Sequence, residues 1–151
     1  MRARDLVEEY PTVRLDTDAM EAAQMLAQKR LVGLIVSDRD GRPYTVLPGS
    51  QVLKFLVPQY VQDDPALARV YDEKASDELC AALSKSEVRD LLPSRHDVDE
   101  IPIVDPDATV IEMAAVMARV HSPVVAVVDK ENQYLGAVTV RRLLEHLLPS
   151  A

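Results

Sequence analysis

The sequence predicts an α+β fold of the α/β-sandwich type. Two β-α-β-β-α repeats would pack pseudo-symmetrically in it, joined by a helical linker. Three observations lead to this prediction: the second half of the chain repeats the first, both halves show the same order of strand and helix patterns, and 48% of the 151 residues are hydrophobic. A unit of about 60 residues is too small to bury a sufficient core alone. We therefore expect the two repeats to pack against each other.

The internal repeat consists of short matching segments that occur in the same order in both halves. The matches are Arg4-Asp5-Leu6 with Arg89-Asp90-Leu91, Asp16-Thr17-Asp18-Ala19 with Asp105-Pro106-Asp107-Ala108, and Leu34-Ile35-Val36-Ser37-Asp38 with Val125-Ala126-Val127-Val128-Asp129. Such self-similarity predicts one structural unit that is used twice. The predicted boundaries are residues 1–57 for the first repeat, 58–85 for the linker and 86–151 for the second repeat.

Each repeat begins with a short extended segment, residues 12–15 or 101–104, that leads into an Asp-x-Asp turn and a helix. In each turn one aspartate, either Asp16 or Asp18 and either Asp105 or Asp107, is expected to cap the helix by accepting backbone N–H bonds. Helical spacing predicts the apolar face of each helix. The predicted faces are Ala19, Ala22, Ala23 and Leu26 in the first repeat and Ile111, Ala114, Ala115 and Ala118 in the second.

Two strands and a closing helix complete each repeat. Residues 33–36 and 124–128 are continuously apolar, which is typical of strands buried on both faces. Polar turns separate them from second strands at residues 44–47 and 134–138. The closing helices are expected at residues 50–56 and 140–148.

The linker is expected to be helical rather than flexible. Asp64-Pro65 is a favourable helix start, because proline is well tolerated at the first helical position. The single cysteine, Cys80, lies beside an apolar stripe of the linker, and we interpret it as a small buried hydrophobic residue.

Composition excludes several classes of function. The chain has 25 acidic and 17 basic residues, so nucleic acid is not an expected partner. Its four glycines are isolated, which excludes a glycine-rich phosphate loop. No apolar run approaches the length of a membrane span and no signal-like stretch follows Met1, so we expect a cytoplasmic protein without direct membrane insertion.

The sequence shows no pattern that identifies a reaction or a metal. The three histidines are far apart and form no metal-binding motif, and Gly49-Ser50 lacks the surroundings of a nucleophile elbow. Carboxylates cluster at Asp97, Asp99 and Glu100, a composition more typical of a solvated turn than of an acid–base pair. We expect no catalytic residues, no metal and no required cofactor.

Taken in order and twice over, these segments resemble a tandem pair of CBS domains, also called a Bateman module. The resemblance covers residues 1–57 and 86–149. It depends on the opening R-D-L, the D-x-D-A helix entry, the V-V-x-V-V-D strand, and Gly136-Ala137-Val138-Thr139 leading into Arg142-Leu143-Leu144.

The resemblance implies a non-enzymatic regulatory module. CBS pairs commonly bind AMP, ADP, ATP or S-adenosylmethionine in clefts between the repeats, and they commonly form dimers that report ligand occupancy to an attached or partner protein. The resemblance therefore implies a homodimer and a regulated partner such as an enzyme or a transporter. A small enzyme or enzyme subunit that uses the same cleft is a less favoured reading.

The resemblance also implies which residues contact a ligand. A threonine hydroxyl and a helix N-terminus can bind phosphate, and a carboxylate three residues later can accept hydrogen bonds from ribose hydroxyls. In this chain Thr139 is present, but Arg142 stands at the carboxylate position, and the matching residues of the first repeat are Pro48 and Gln51. The candidate ligand-binding residues are Thr139, Arg141, Arg142, His121, Ser122, Pro123, Ile103, Gln51 and Thr12.

Two hypotheses about the clefts remain open at this point. In the first, Arg141 and Arg142 join Thr139 in a site that favours phosphate over ribose, because arginine is always charged and cannot accept a hydrogen bond. In the second, the clefts are degenerate and the module serves only dimerisation or partner docking.

Overall fold

Two three-stranded sheets of identical topology form the framework of the molecule. A computed structural model of the chain describes residues 1–93 and 101–149. In the first sheet, β1 (Thr12–Arg14) is parallel to β2 (Gly33–Ser37), which is antiparallel to β3 (Pro43–Pro48). In the second sheet, β4 (Ile103–Val104), β5 (Val124–Val128) and β6 (Tyr134–Thr139) follow the same pattern. The α+β class and the twofold use of one unit are thus confirmed.

Each repeat contains the two helices predicted for it and, before its first strand, one short helix that was not predicted. The first repeat contains α1 (Ala3–Leu6), α2 (Ala19–Gln28) and α3 (Gly49–Leu56), and the second contains α6 (Val88–Leu91), α7 (Val110–Val120) and α8 (Val140–Leu147). Between them lie α4 (Gln59–Asp63), a 3-10 helix over Pro65–Val70, α5 (Glu73–Ala81) and a 3-10 turn over Leu83–Lys85. Pro65 stands at the start of its helix, as its fixed φ favours.

The hairpin turns of both sheets are closed by an aspartate. The Asp38 carboxylate accepts hydrogen bonds from the backbone N–H groups of Asp40 and Arg42, at 2.9 and 3.1 Å. The Asp129 carboxylate does the same for Glu131 and Gln133, both at 2.9 Å. These bonds explain why the V-V-D-like strand end recurs in the sequence, since an aspartate stabilises the turn that follows it.

The short helices α1 and α6 are exchanged between the cores of the two repeats. Ala3 and Leu6 of α1 pack into the core of the second repeat, beside Met113 and Val125. Conversely, α6 packs into the core of the first repeat together with Leu83. Backbone hydrogen bonds fix both contacts, from Ala3 N–H to Ala108 and from Val88 N–H to Thr17.

A third apolar cluster lies between the sheets and joins the repeats. It contains Tyr10 and Ile35 from the first repeat and Val124, Ala126 and Ala137 from the second. Neither repeat buries these side chains alone. The small size of one unit is therefore compensated by a core that both repeats share.

Two predictions about helix α7 are wrong. Its buried side chains are Met113 and Met117, whereas Ile111 is 68% exposed and Ala115 and Ala118 are also exposed. The face predicted from helical spacing is a different apolar face of α7, and most of it points to solvent. The cap is also different, because Thr109 Oγ1 rather than an aspartate accepts from Glu112 N–H at 3.1 Å. Asp105 instead accepts from Asp107 N–H within the preceding turn, at 2.7 Å.

The cap of helix α2 and the environment of Cys80 also differ from the prediction. Asp18 occupies the N-cap position, but its side chain makes no capping hydrogen bond. The Ala19 N–H instead donates to the Ser86 carbonyl at 2.9 Å, so the second repeat supplies the acceptor. Cys80 was predicted to be buried, but it is exposed, and no other residue of α5 is buried either. Among residues 1–93 and 101–149, no helix has the length and apolar character needed to cross a membrane.

Candidate functional site

An open cleft of about 990 Å³ lies where the two repeats meet. Four parts of the chain line it: the segment before β1, the segment between α2 and β2, the turn before β5, and α8 with the residues on either side of it. The lining residues are Glu8, Glu9, Tyr10, Pro11, Lys29, Arg30, Leu31, Val32, Pro123, Thr139, Val140, Arg141, Leu144, Glu145, Leu148 and Pro149. Both repeats therefore contribute to one concave surface, the kind of place where small-molecule ligands bind.

Gly136 allows the segment before β1 to reach the edge of this cleft. Glu8 N–H donates to the Ala137 carbonyl at 2.9 Å, and Ala137 N–H donates to the Glu8 carbonyl at 3.0 Å. Gly136 has a φ of 140°, and a Cβ there would overlap the Glu8 carbonyl oxygen and lie 2.8 Å from Val7 Cγ2. A residue without a side chain is thus required for this backbone approach.

Two tyrosines anchor the segment before β1, which carries Glu8 and Glu9. Tyr10 is buried and its hydroxyl donates to the Gly33 carbonyl at 2.5 Å, while the Tyr134 hydroxyl donates to the Tyr10 carbonyl at 3.0 Å. Burial raises the pKa of Tyr10 above its ordinary value, and burial followed by the nearby Tyr10 raises the pKa of Tyr134. Both hydroxyls therefore stay protonated at neutral pH and act as donors that fix the segment carrying Glu8 and Glu9.

Thr139 forms the N-cap of α8 at the cleft wall. Its Oγ1 accepts a hydrogen bond from Arg142 N–H at 3.2 Å. The Val140 N–H donates to the Pro123 carbonyl, so what this turn offers an anion is the positive end of the helix dipole. Arg141 follows in this turn, with its side chain 86% exposed and its Nε 3.8 Å from Glu145 Oε1. Such a long, exposed ion pair leaves the guanidinium available to a ligand.

Arg142 is engaged inside the protein rather than free to bind an anion. Its Nε lies 3.1 Å from Glu8 Oε1, and its side chain is 33% exposed. The contact is an ion pair without an aligned hydrogen bond, since the buried Nε has no hydrogen-bond partner within the part of the chain that the structure describes. Arg142 does not line the cleft, whereas Glu8 does. Of the two arginines that the sequence suggested for a phosphate site, only Arg141 lines the cleft.

The charges along the cleft are balanced. Lys29 and Arg30, at the C-terminal end of α2, and Arg141 are cationic; Glu8, Glu9 and Glu145 are anionic. Leu31, Val32, Val140, Leu144 and Leu148 form the apolar part of the lining. A ligand with a flat apolar group and an anionic group fits this combination of surfaces.

The other residues singled out from the sequence have separate roles. Pro123 lines the cleft, and its carbonyl accepts from Val140 N–H at 3.1 Å. His121 ends α7 in a left-handed conformation and is exposed. Ser122 Oγ donates to the Val124 carbonyl at 2.6 Å. Neither His121 nor Ser122 lines the cleft; both form the turn into β5.

Three further residues also lie away from the cleft lining. Ile103 packs against the apolar cluster between the sheets. Thr12 is exposed at the start of β1. Gln51 donates from Nε2 to the Leu91 carbonyl at 3.0 Å and so ties α3 to α6. The structure thus brings Thr139, Arg141 and Pro123 together in the cleft and separates the other six candidates from its lining.

Sequence reasoning missed the contribution of the first repeat to this cleft. Glu8, Tyr10, Lys29 and Arg30 belong to no motif in the sequence. Glu8 lies two residues after the R-D-L segment, a position that carries no chemical signal of its own. The carboxylates Asp97, Asp99 and Glu100 lie outside the described residues. Within residues 1–93 and 101–149, no group of three histidine, cysteine or carboxylate side chains is placed to hold a metal ion.

Comparison with known proteins identifies the same unit twice. The family model of the CBS domain matches residues 3–54 and 88–149. A CBS domain-containing protein of unknown function from Kribbella flavida is 51% identical, with a TM-score of 0.83 over 99% of both chains. An uncharacterised protein of Methanocaldococcus jannaschii is 23% identical over 160 residues, which cover 98% of this chain and 92% of that protein.

A more distant structure shows the same fold with a ligand. CBSX2 of Arabidopsis thaliana, solved in complex with AMP, is 17% identical and has a TM-score of 0.65, covering 96% of this chain and 94% of that one. At this identity the likeness concerns the fold alone.

Proposed function

Because the chain belongs to the CBS domain family, we propose that it is a non-enzymatic regulatory module that senses an adenosine-type nucleotide in the cleft between its repeats. The observation that carries this proposal is the lining of the cleft. It combines the N-terminus of α8, capped by Thr139, with Arg141 and an apolar wall.

The chemistry of the lining suits the parts of a nucleotide. The first turn of α8 offers the positive end of a helix dipole to a phosphate, and Arg141 adds a positive charge. The apolar side chains around Leu31 and Leu144 offer a surface to a base. The AMP complex of the fold relative CBSX2 supports a nucleotide as ligand class. AMP, ADP, ATP and S-adenosylmethionine are the candidates.

Calorimetric titration of the purified protein with each of these four ligands tests the proposal. We expect saturable binding of at least one phosphate-bearing nucleotide. Arg141→Gln should weaken that nucleotide about fivefold or more, because a charge-assisted contact to phosphate is lost. The same variant should not weaken S-adenosylmethionine, which has no phosphate. Arg69→Gln removes an exposed arginine from the linker helix and serves as the matched control.

A second candidate function is a degenerate module that serves only dimerisation or partner docking. The position of Arg142 and Gln51 favours it, because both side chains make internal contacts in place of a carboxylate facing a ligand. If none of the four ligands produces heat at millimolar concentration, the sensing proposal is wrong and this second function takes its place.

We further propose that the module forms a homodimer and acts on a partner such as an enzyme or a transporter. The support is an apolar surface on helices α7 and α8, which contact each other. Ile111 of α7 and Leu147 of α8 are exposed, and exposed apolar side chains of this kind are typical of an interaction site.

A further inference from the structure

We infer that Glu8, held by Arg142, is the acceptor that selects ligands with an intact ribose diol. This inference deepens the proposed function and depends on it, because it assigns a specificity residue within the same cleft. The carboxylate that recognises the sugar would then come from the first repeat, where its backbone reaches β6 two residues before Thr139.

The placement of Glu8 is fixed by the backbone on both sides. Paired hydrogen bonds with Ala137 hold its main chain against β6, and the missing side chain of Gly136 makes this approach feasible. Two residues further along, buried Tyr10 anchors the segment to Gly33. A half-exposed glutamate on such a fixed backbone loses little entropy when it binds a ligand.

The charge of Glu8 is oriented rather than free. Its Oε1 lies 3.1 Å from Arg142 Nε, and its side chain is 51% exposed along the cleft. One oxygen therefore faces Arg142, and the carboxylate keeps acceptor capacity for a ligand. Arg142 is a positioning residue, because it acts through Glu8 and does not line the cleft.

An ionised carboxylate selects the chemical group that it contacts. It accepts hydrogen bonds from hydroxyl donors and repels phosphate oxygens. The cleft offers phosphate a different partner, Arg141 in the first turn of α8. A nucleotide would thus place its phosphate at α8 and its 2′- and 3′-hydroxyl groups at Glu8.

The test compares AMP with 2′-deoxyAMP by calorimetry, in the 151-residue chain. We expect AMP to bind about tenfold more tightly, since a hydrogen bond to a charged group is lost in the deoxy ligand. Glu8→Gln should bring the ratio of the two affinities close to one. Arg142→Gln should lower this ratio as well, because Glu8 is then no longer oriented.

Two further variants control the test. Glu131→Gln removes the same charge from the β5–β6 turn and should leave the ratio at its wild-type value. Glu9→Gln removes the neighbouring carboxylate of the cleft. This variant should also keep the wild-type ratio of AMP affinity to 2′-deoxyAMP affinity. The ratio separates specificity from folding, since a general loss of structure weakens both ligands equally.

The outcomes distinguish this inference from the proposed function. If wild-type protein binds neither nucleotide, both the sensing function and the role of Glu8 are wrong. If AMP binds but wild-type protein shows no preference, or the preference survives in Glu8→Gln or disappears in Glu9→Gln, only the role of Glu8 is overturned. A ratio that Arg142→Gln leaves unchanged overturns the positioning role of Arg142.

Discussion

At the scale of single residues, the positive charge of Arg142 is compensated by Glu8, a residue of the other repeat. The resemblance to CBS domains implies a carboxylate where Arg142 stands, and a lone, partly buried guanidinium there would be costly. Glu8 compensates this charge from the other repeat, at 3.1 Å. The carboxylate that pairs with Arg142 thus comes from the first repeat, whose backbone reaches β6 at Ala137.

Gly136 provides a prediction at this scale. Gly136→Ala forces a side chain onto the Glu8 carbonyl and a φ of 140° onto alanine. We expect the free energy of unfolding to fall by about 3 kcal/mol or more, from backbone strain and overpacking together. Urea denaturation followed by circular dichroism measures the change.

Gly41 is the matched control for this variant. It also has a positive φ, 81°, but nothing lies within 4 Å of the position of an added Cβ. Gly41→Ala should therefore cost only the conformational strain, about 1 kcal/mol. Equal losses for the two variants would show that the contact with Glu8 has no energetic weight.

At the scale of elements, helices α2 and α7 differ in the group that accepts a hydrogen bond from their first N–H groups. Helix α7 begins with a side-chain cap, Thr109 Oγ1 to Glu112 N–H. Helix α2 begins with Asp18 but satisfies Ala19 N–H through the Ser86 carbonyl of the other repeat. The local sequence predicts a capping residue in both, but it does not show that a distant backbone takes over in α2.

A pair of cap variants tests this difference. Thr109→Ala should lower the free energy of unfolding by about 1 kcal/mol, because one helix N–H loses its acceptor. Asp18→Ala should lower it by about 0.5 kcal/mol or less, since only a charge near the helix dipole is lost. Thermal or urea unfolding provides both values. A larger loss for Asp18 than for Thr109 would contradict the assignment of the caps.

At the scale of the whole molecule, the shared core and the exchanged helices make the two repeats interdependent. Removing either repeat would expose the apolar cluster around Tyr10 and Val124 and leave α1 or α6 without its core. The cleft is likewise lined by residues of both repeats.

The proposed homodimer is tested at this scale. Light scattering at micromolar concentration should give twice the 16.7 kDa of one chain. Ile111→Glu with Leu147→Glu should return the mass to that of a monomer, because charges are then placed on the apolar surface of α7 and α8. Val70→Glu is the control, since Val70 is 86% exposed on the linker. A monomeric wild-type protein would rule out the dimer.

The sequence by itself determined the twofold unit, the element order, the buried strands and the closing helices. These features depend on periodicity and turn chemistry within about ten neighbouring residues, which act wherever the segment is placed. Thr139 and Arg141 could be found in the same way, since they follow one strand and begin one helix.

The tertiary structure alone decided which segments meet. The exchange of α1 and α6, the buried face of α7 and the approach of Glu8 to Arg142 all join parts of the chain that are far apart in sequence. Helix α7 has two apolar faces, and only packing against β5 selects the one with Met113. The Glu8–Arg142 pair likewise has no local signal, because an ion pair depends on distance in space and not on spacing in the chain.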